Sequence, residues 1–220
     1  MRILSRIVGS LATNCYIIIC EDTRKAIIID PGFSAEEANE ILNEIVKNGF
    51  KVEKIINTHG HFDHIIGNDI LKALTKAKIL IHKNDASMLL DPSKNLSRML
   101  GRDIISPKAD RLVEEGEIIK VGDLELKVIH TPGHTEGSIS LFCEKEKVVF
   151  TGDTLFAGSI GRTDLPGSSF EEIMHSLKEK LMNLPDETVV YPGHGGKTTI
   201  GREKGKNPFL SSLRKDLPWV

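Results

Sequence analysis

Short runs rich in Ile and Val recur along the whole 220-residue chain, and most stop at Gly, Pro, Asp or His. They are NCYIIIC (14–20), KAIIID (25–30), VEKIIN (52–57), KILIH (78–82), 117–131, 138–143, KVVFT (147–151) and ETVVY (187–191). β-Branched runs of this length bounded by turn residues read as strands. Helical patterns alternate with them. Over 35–48, Ala38, Ile41, Leu42, Ile45 and Val46 share one face, Ser34 and Glu37 make a capping-box pattern, and Gly49 follows the end. Over 170–182 the apolar face is Phe170, Ile173, Met174, Leu177 and Leu181, with Ser169 and Glu172 as the box and Pro185 beyond. Shorter helices are expected over 67–76 and 84–90, and an irregular insertion over 91–116. An amphipathic helix covers one face of a sheet, so this alternation demands helices layered on sheets.

The chain also echoes itself. KAIIIDPG (25–32) resembles KVVFTGD (147–153), and KIINTHGH resembles TVVYPGHG. In each half a strand ending in Asp is followed by a helix and then by a strand ending in a His-containing loop. Two β-β-α-β halves, stacked sheet to sheet with helices outside, are expected.

Composition limits the function. There are 29 basic and 31 acidic residues, a formal charge of −2, so no broad positive field draws nucleic acid or anionic lipid. Residues 1–220 are long enough for one domain with a self-sufficient core. Cys15, Cys20 and Cys143 are odd in number, lack CxxC spacing and lie in apolar stretches, so they read as buried small hydrophobes. No secretory leader is legible, because Gly9, Ser10, Thr13 and Asn14 interrupt the first apolar stretch. No run approaches the ~20 apolar residues of a membrane helix. A cytoplasmic protein, monomeric or a small homo-oligomer, is expected, acting on a small molecule without nucleic-acid or membrane partners.

The chemistry concentrates in loops. THGHFDH (58–64) places His59, His61, Asp63 and His64 directly after a strand. HTPGHTEGS (130–138) adds His134, FTGDTLF (150–156) adds Asp153, and VVYPGHG (189–195) adds His194. Five imidazoles and two carboxylates suit two borderline divalent ions, zinc or iron, rather than calcium. A pair of such ions lowers the pKa of a shared water to about 7 and polarises a carbonyl, which points to hydrolysis without a Ser or Cys nucleophile. Asp30 suits either a turn or a carboxylate orienting a ligand histidine. His82, His130 and His175 read as structural or surface residues, His130 being the best spare to sit behind the ligands. GGKTT (195–199) fails the phosphate-loop spacing, because Tyr191 stands where the first Gly belongs.

With HxHxDH, TPGHT, TGDTLF and PGHG in this order from about residue 12 onward, the chain resembles the metallo-β-lactamase superfamily, and within it the glyoxalase II-like hydrolases. The resemblance implies an α/β (α+β) fold, a four-layer αβ/βα sandwich of two mixed sheets with helices outside and the active site at one rim. It implies that His59, His61 and His134 hold one ion, that Asp63, His64 and His194 hold a second, and that Asp153 bridges them. Asp63 and Asp153 are then the catalytic carboxylates. Zinc is the usual metal, with iron or manganese also accepted, and the implied reaction is thioester hydrolysis of S-D-lactoylglutathione. Only 26 residues follow His194, whereas glyoxalase II proper continues into a helical domain that grips glutathione. Arg162, Lys197 and Arg202 are candidates to meet an anionic substrate tail.

Three other readings compete. Persulfide dioxygenases share the GRTD segment and the loop order; their single iron would map to His59, His134 and Asp153. Their usual CGRTD is SIGRTD here. A lactonase also fits the HxHxDH loop. A non-catalytic domain with a structural metal fits less well, because structural zinc is closed by four ligands and seven candidates are present.

Overall fold

The computed structural model describes residues 1–210. The first sheet is formed by β1 (Arg2–Val8), β2 (Thr13–Cys20), β3 (Lys25–Ile29), β4 (Lys51–Ile56), β5 (Lys78–His82) and β6 (Arg111–Val113), side by side in that order. Pairing is antiparallel from β1 to β3 and parallel from β3 to β6. Helices α1 (Ala35–Lys47), α2 (Phe62–Ile65) and α3 (Asn68–Thr75) fall within this half. The second half runs through β7 (Ile118–Val121), β8 (Leu124–His130), β9 (Ile139–Cys143), β10 (Val148–Gly152), the small hairpin β11 (Leu155–Phe156) and β12 (Ser159–Ile160), α4 (Phe170–Glu179), β13 (Val189–Pro192), β14 (Thr198–Thr199) and α5 (Ile200–Lys206). Its sheet has the order β14-β13-β10-β9-β8-β7, with only β10 and β13 parallel.

Strand β2 shows why these runs make layers. All eight of its residues are buried, but alternate side chains serve different cores. Cys15, Ile17 and Ile19 join Ala38, Ile41, Leu42 and Ile45 of α1 on one face. Tyr16, Ile18 and Cys20 point the other way, against Val121, Leu126, Val128 and Phe150 of the second sheet. A third cluster packs Phe142, Val149 and Val190 under Ile173 and Leu177 of α4. Three apolar layers separate four layers of structure, the mixed α/β sandwich expected. Each fully buried Ile contributes roughly 1.5–3 kcal/mol. The echo is also structural: β2-β3-α1-β4 and β9-β10-α4-β13 each contain one antiparallel and one parallel pairing around a helix.

Several boundaries differ from the sequence reading. The capping box of α1 is present, with Ser34 and Glu37 exchanging side-chain and backbone hydrogen bonds. Val46, however, is 66% exposed, because it falls past the edge of the buried stripe. Phe170 is 55% exposed at the first helical position of α4, where the chain has not yet turned onto the core. The 117–131 run breaks at a turn into β7 and β8. Residues 83–89 form a 3₁₀ helix rather than an α-helix. β1, a half-buried edge strand, was not anticipated, and the 91–116 insertion contains only a 3₁₀ turn, Ser97–Leu100, and β6. All three cysteines are buried and unpaired.

Candidate metal centre

The ends of β4, β8, β10 and β13 deliver their loops to one rim. After β4, Asn57 holds the loop by donating to the His64 carbonyl at 3.1 Å and pairing with Asn68. The short α2, entered from His61, then carries Asp63 and His64. The loop after β8 brings His134, the end of β10 brings Asp153, and the turn after β13 brings His194. Gly193 must be glycine: a Cβ there would lie 2.1 Å from Asp153 Oδ1. Two backbone-to-backbone hydrogen bonds join the halves at this rim, Ile139 N to Thr58 O at 2.8 Å and Asn14 N to Gly193 O at 2.7 Å.

Six of the seven predicted donors fall into two triads. One ring nitrogen each of His59, His61 and His134 come within 4.8 Å of one another, as do the donor atoms of Asp63, His64 and His194. Asp153 lies between the triads. Its Oδ2 is 3.6 Å from both His134 Nε2 and His194 Nε2, and its Oδ1 is 3.6 Å from His64 Nε2. Asp30 lies behind His64, with Oδ2 2.9 Å from Nδ1, so the opposite nitrogen faces the centre. The same carboxylate accepts from Thr58 N and Oγ1 at 2.7 and 2.6 Å. His134 Nδ1 donates to the Arg162 carbonyl at 2.9 Å, which likewise turns Nε2 inward.

This inward geometry fits cations. Buried His59 Nε2, His61 Nε2 and Asp153 Oδ1 have no hydrogen-bond partner among the described residues. His64 Nε2 and His194 Nε2 approach to 3.3 Å, and His61 Nδ1 and His134 Nε2 to 3.0 Å. Ring nitrogens converging at such distances share either a proton or a cation, and an all-imidazole-and-carboxylate donor set suits borderline divalent ions.

Electrostatics differ across the centre. Burial pushes the His59 imidazole well below its ordinary pKa, and the neighbouring His64 adds to this. Burial and the facing His134 take His61 down to about 3. For His64 burial opposes the charged form, but Asp63, Asp153 and Asp30 outweigh it and raise the group to about 10. Burial also opposes charge on His194, yet its hydrogen bond to Asp63 and the charge of Asp153 raise it. Burial would raise Asp63, but the charge of His64 and the His194 hydrogen bond hold it below the usual carboxylate range.

The basic candidates lie outside this cluster. The exposed Arg162 guanidinium pairs with Asp164 through two contacts of 2.9 and 2.8 Å, so the chain uses its carbonyl, not its charge, at the centre. Lys197 Nζ sits 4.8 Å from the Tyr191 ring centroid, and Arg202 is exposed on α5. His130 stacks on His82 at 4.1 Å and bonds to the Glu136 carbonyl, away from the donors it was expected to support. His175 is exposed. Two residues were missed. Thr13 Oγ1 donates to Asp63 Oδ2 at 3.1 Å, and buried Asp85 accepts from the backbone of two ligand loops. Neither carries a local spacing signal, since both partners are distant in sequence.

The family model described as "Metallo-beta-lactamase superfamily" matches residues 8–194. A "Probable metallo-hydrolase YqgX" of Bacillus subtilis is 37% identical, over 94% of this chain and 96% of that protein. A "Hydroxyacylglutathione hydrolase GloC" of Haemophilus influenzae is also 37% identical, over 93% and 96%. Among solved structures, the BLEG-1 B3 metallo-beta-lactamase superposes with a TM-score of 0.89 at 36% identity, covering 96% of this chain and 100% of that one. TTHA1623 in a di-iron-bound form gives 0.83 at 34%, covering 94% and 100%. ETHE1 from Myxococcus xanthus gives 0.78 at 30%, covering 100% and 92%.

Proposed function

The chain belongs to the metallo-beta-lactamase superfamily, and on that footing we propose that it is a dinuclear metallohydrolase cleaving a small acyl thioester of the S-D-lactoylglutathione type. The observation that carries this reading is the division of six donors into two triads with Asp153 between them. His59, His61 and His134 are assigned to one ion, Asp63, His64 and His194 to the other, and Asp153 to both. Two such ions, when bound, supply a hydroxide nucleophile at neutral pH and polarise the carbonyl under attack. Zinc suits the donor set, and the di-iron form of TTHA1623 supports iron as the alternative.

The chain's own residues prepare the site. Asp30 and the Arg162 carbonyl fix the orientations of His64 and His134, while Thr13 holds Asp63. His64 is fully enclosed, whereas the His194 side chain is 28% exposed, so substrate approaches from the β13 side. Lys197, three residues beyond His194, retains the proposed role of meeting an anionic tail, with exposed Arg202 on α5 as the second candidate.

The GloC similarity supports a glutathione thioester. This chain covers 96% of that hydrolase, so its short length does not oppose the assignment. A cytoplasmic, single-domain enzyme, monomeric or a small homo-oligomer, completes the reading. The likeness to ETHE1 favours a second reading, a persulfide dioxygenase with one iron. The test is metal content per chain together with loss of thioester absorbance on a panel of acyl thioesters, a lactone and a β-lactam. About two ions and thioester turnover are expected. Two ions with every thioester intact would remove the substrate assignment, and oxygen uptake with glutathione persulfide by a one-iron protein would favour the second reading.

A further inference from the structure

Asp85 lies in the 3₁₀ helix that follows β5, only 1% exposed. Its Oδ2 accepts from Gly60 N at 2.9 Å and from Thr135 Oγ1 at 2.7 Å, and its Oδ1 accepts from Gly137 N at 2.7 Å. Gly60 stands between His59 and His61, and Thr135 directly follows His134. The first loop leaves the first sheet and the second loop leaves the second sheet. One carboxylate therefore grips both.

We infer that Asp85 is a positioning residue for the His59, His61 and His134 donors, tying their two loops together and setting the spacing of the three imidazoles. The inference rests on the metal assignment proposed above. The approach is close: a Cβ at residue 137 would lie 2.5 Å from Asp85 Oδ1, so the loop seats its bare backbone on the carboxylate. Burial pushes the carboxyl up, and hydrogen bonds from Thr135, Gly60 and Gly137 act against that. An acceptor-only group meeting three donors is what an ionised carboxylate provides. An amide in its place turns an N–H toward at least one of them.

Glu203 supplies the contrast. It is equally buried and accepts from Gly158 N, Thr198 Oγ1 and Asn207 Nδ2 at 2.8, 2.6 and 2.9 Å, but none of these flanks a donor of this triad. The experiment strips the full-length protein of metal and titrates Zn²⁺ against a chromophoric chelator, for wild type, Asp85→Asn, Thr135→Val and Glu203→Gln, with melting temperatures in parallel. In Asp85→Asn one of two zinc sites should weaken about 10- to 100-fold, the usual range for groups that orient a ligand, while the other is unchanged. Thr135→Val, which removes one of the three bonds, should weaken the same site less. Glu203→Gln should lower the melting temperature and leave both zinc affinities alone. Unchanged zinc binding in Asp85→Asn would overturn the inference, as would equal weakening by Glu203→Gln. If Asp85→Asn does not fold, unchanged zinc binding in Thr135→Val overturns it instead. Wild-type protein that takes up no zinc would overturn the metal assignment and the inference together; two zincs in both wild type and Asp85→Asn, with unchanged affinities, overturn the inference alone.

Discussion

The two donor triads are held by opposite electrostatics. His59, His61 and His134 are three imidazoles, the first two enclosed and pushed toward the neutral form by burial and by one another. Asp63, His64 and His194 stand among carboxylates, which pull both of those histidines toward the charged form. His59 and His61 are therefore ready to ligate at neutral pH, whereas His64 and His194 must release protons to do so. A site can be equally well positioned on both sides and still bind its two cations under different conditions.

Asp153 spans the difference, so its removal should have the largest effect. Asp153→Ala is expected to lose both metals or all turnover, read by metal analysis and a thioester assay; wild-type metal content with wild-type turnover would remove its bridging role. The comparison itself is tested by pH. A ligating histidine must be deprotonated. Because His64 lies at about 10 in the metal-free protein and His194 is also raised, affinity at the second triad should rise at least about tenfold per unit between pH 6 and 8, while His59 and His61 add little pH dependence to the first. Chelator competition at several pH values reads both. The same shift has a stability consequence. A folded pKa raised above the unfolded value of about 6.5 stabilises fully below that value and is lost as pH rises through about 10, so the metal-free melting temperature should fall over that window.

Asp30→Asn should weaken the second triad by about 10- to 100-fold, since Asp30 holds His64 directly, and the first triad less, through Thr58 beside His59; equal weakening at both would contradict the separation. Thr13→Val removes one hydrogen bond to Asp63, and a loss of about fivefold at the second triad is expected by calorimetry. Arg162→Ala should change neither metal affinity nor melting temperature, because the backbone carbonyl is what His134 uses. A raised KM alone in that variant would assign the guanidinium to the substrate.

The candidate donors were readable because each sits within eight residues past the end of an apolar strand, and strand ends converge at a sandwich rim. Asp30 was readable only as an alternative: its place at the end of β3 suited a turn equally well, and the backbone there does adopt φ +50°. Asp85 was not readable at all, since its partners lie 25 to 52 residues away. Arg162 shows a different limit. A side-chain charge is visible in sequence, while a carbonyl available to a histidine is visible only once the loop is folded. The edge strand β1 was missed because its residues are only half-buried and lack the continuous apolar run of β2.

His61 and His134 are 73 residues apart in the chain, and His64 and His194 are 130 apart. A cation shared across either gap is a crosslink closing a long loop, and closing loops of that length removes entropy from the unfolded chain much as a disulfide does. This protein contains no disulfide among its described residues, so its reversible staples would be ionic. Its resistance to unfolding would then follow the free metal concentration, growing as the logarithm of one plus the ratio of free metal to Kd, and a chelator would act on it as a reductant acts on a secreted domain.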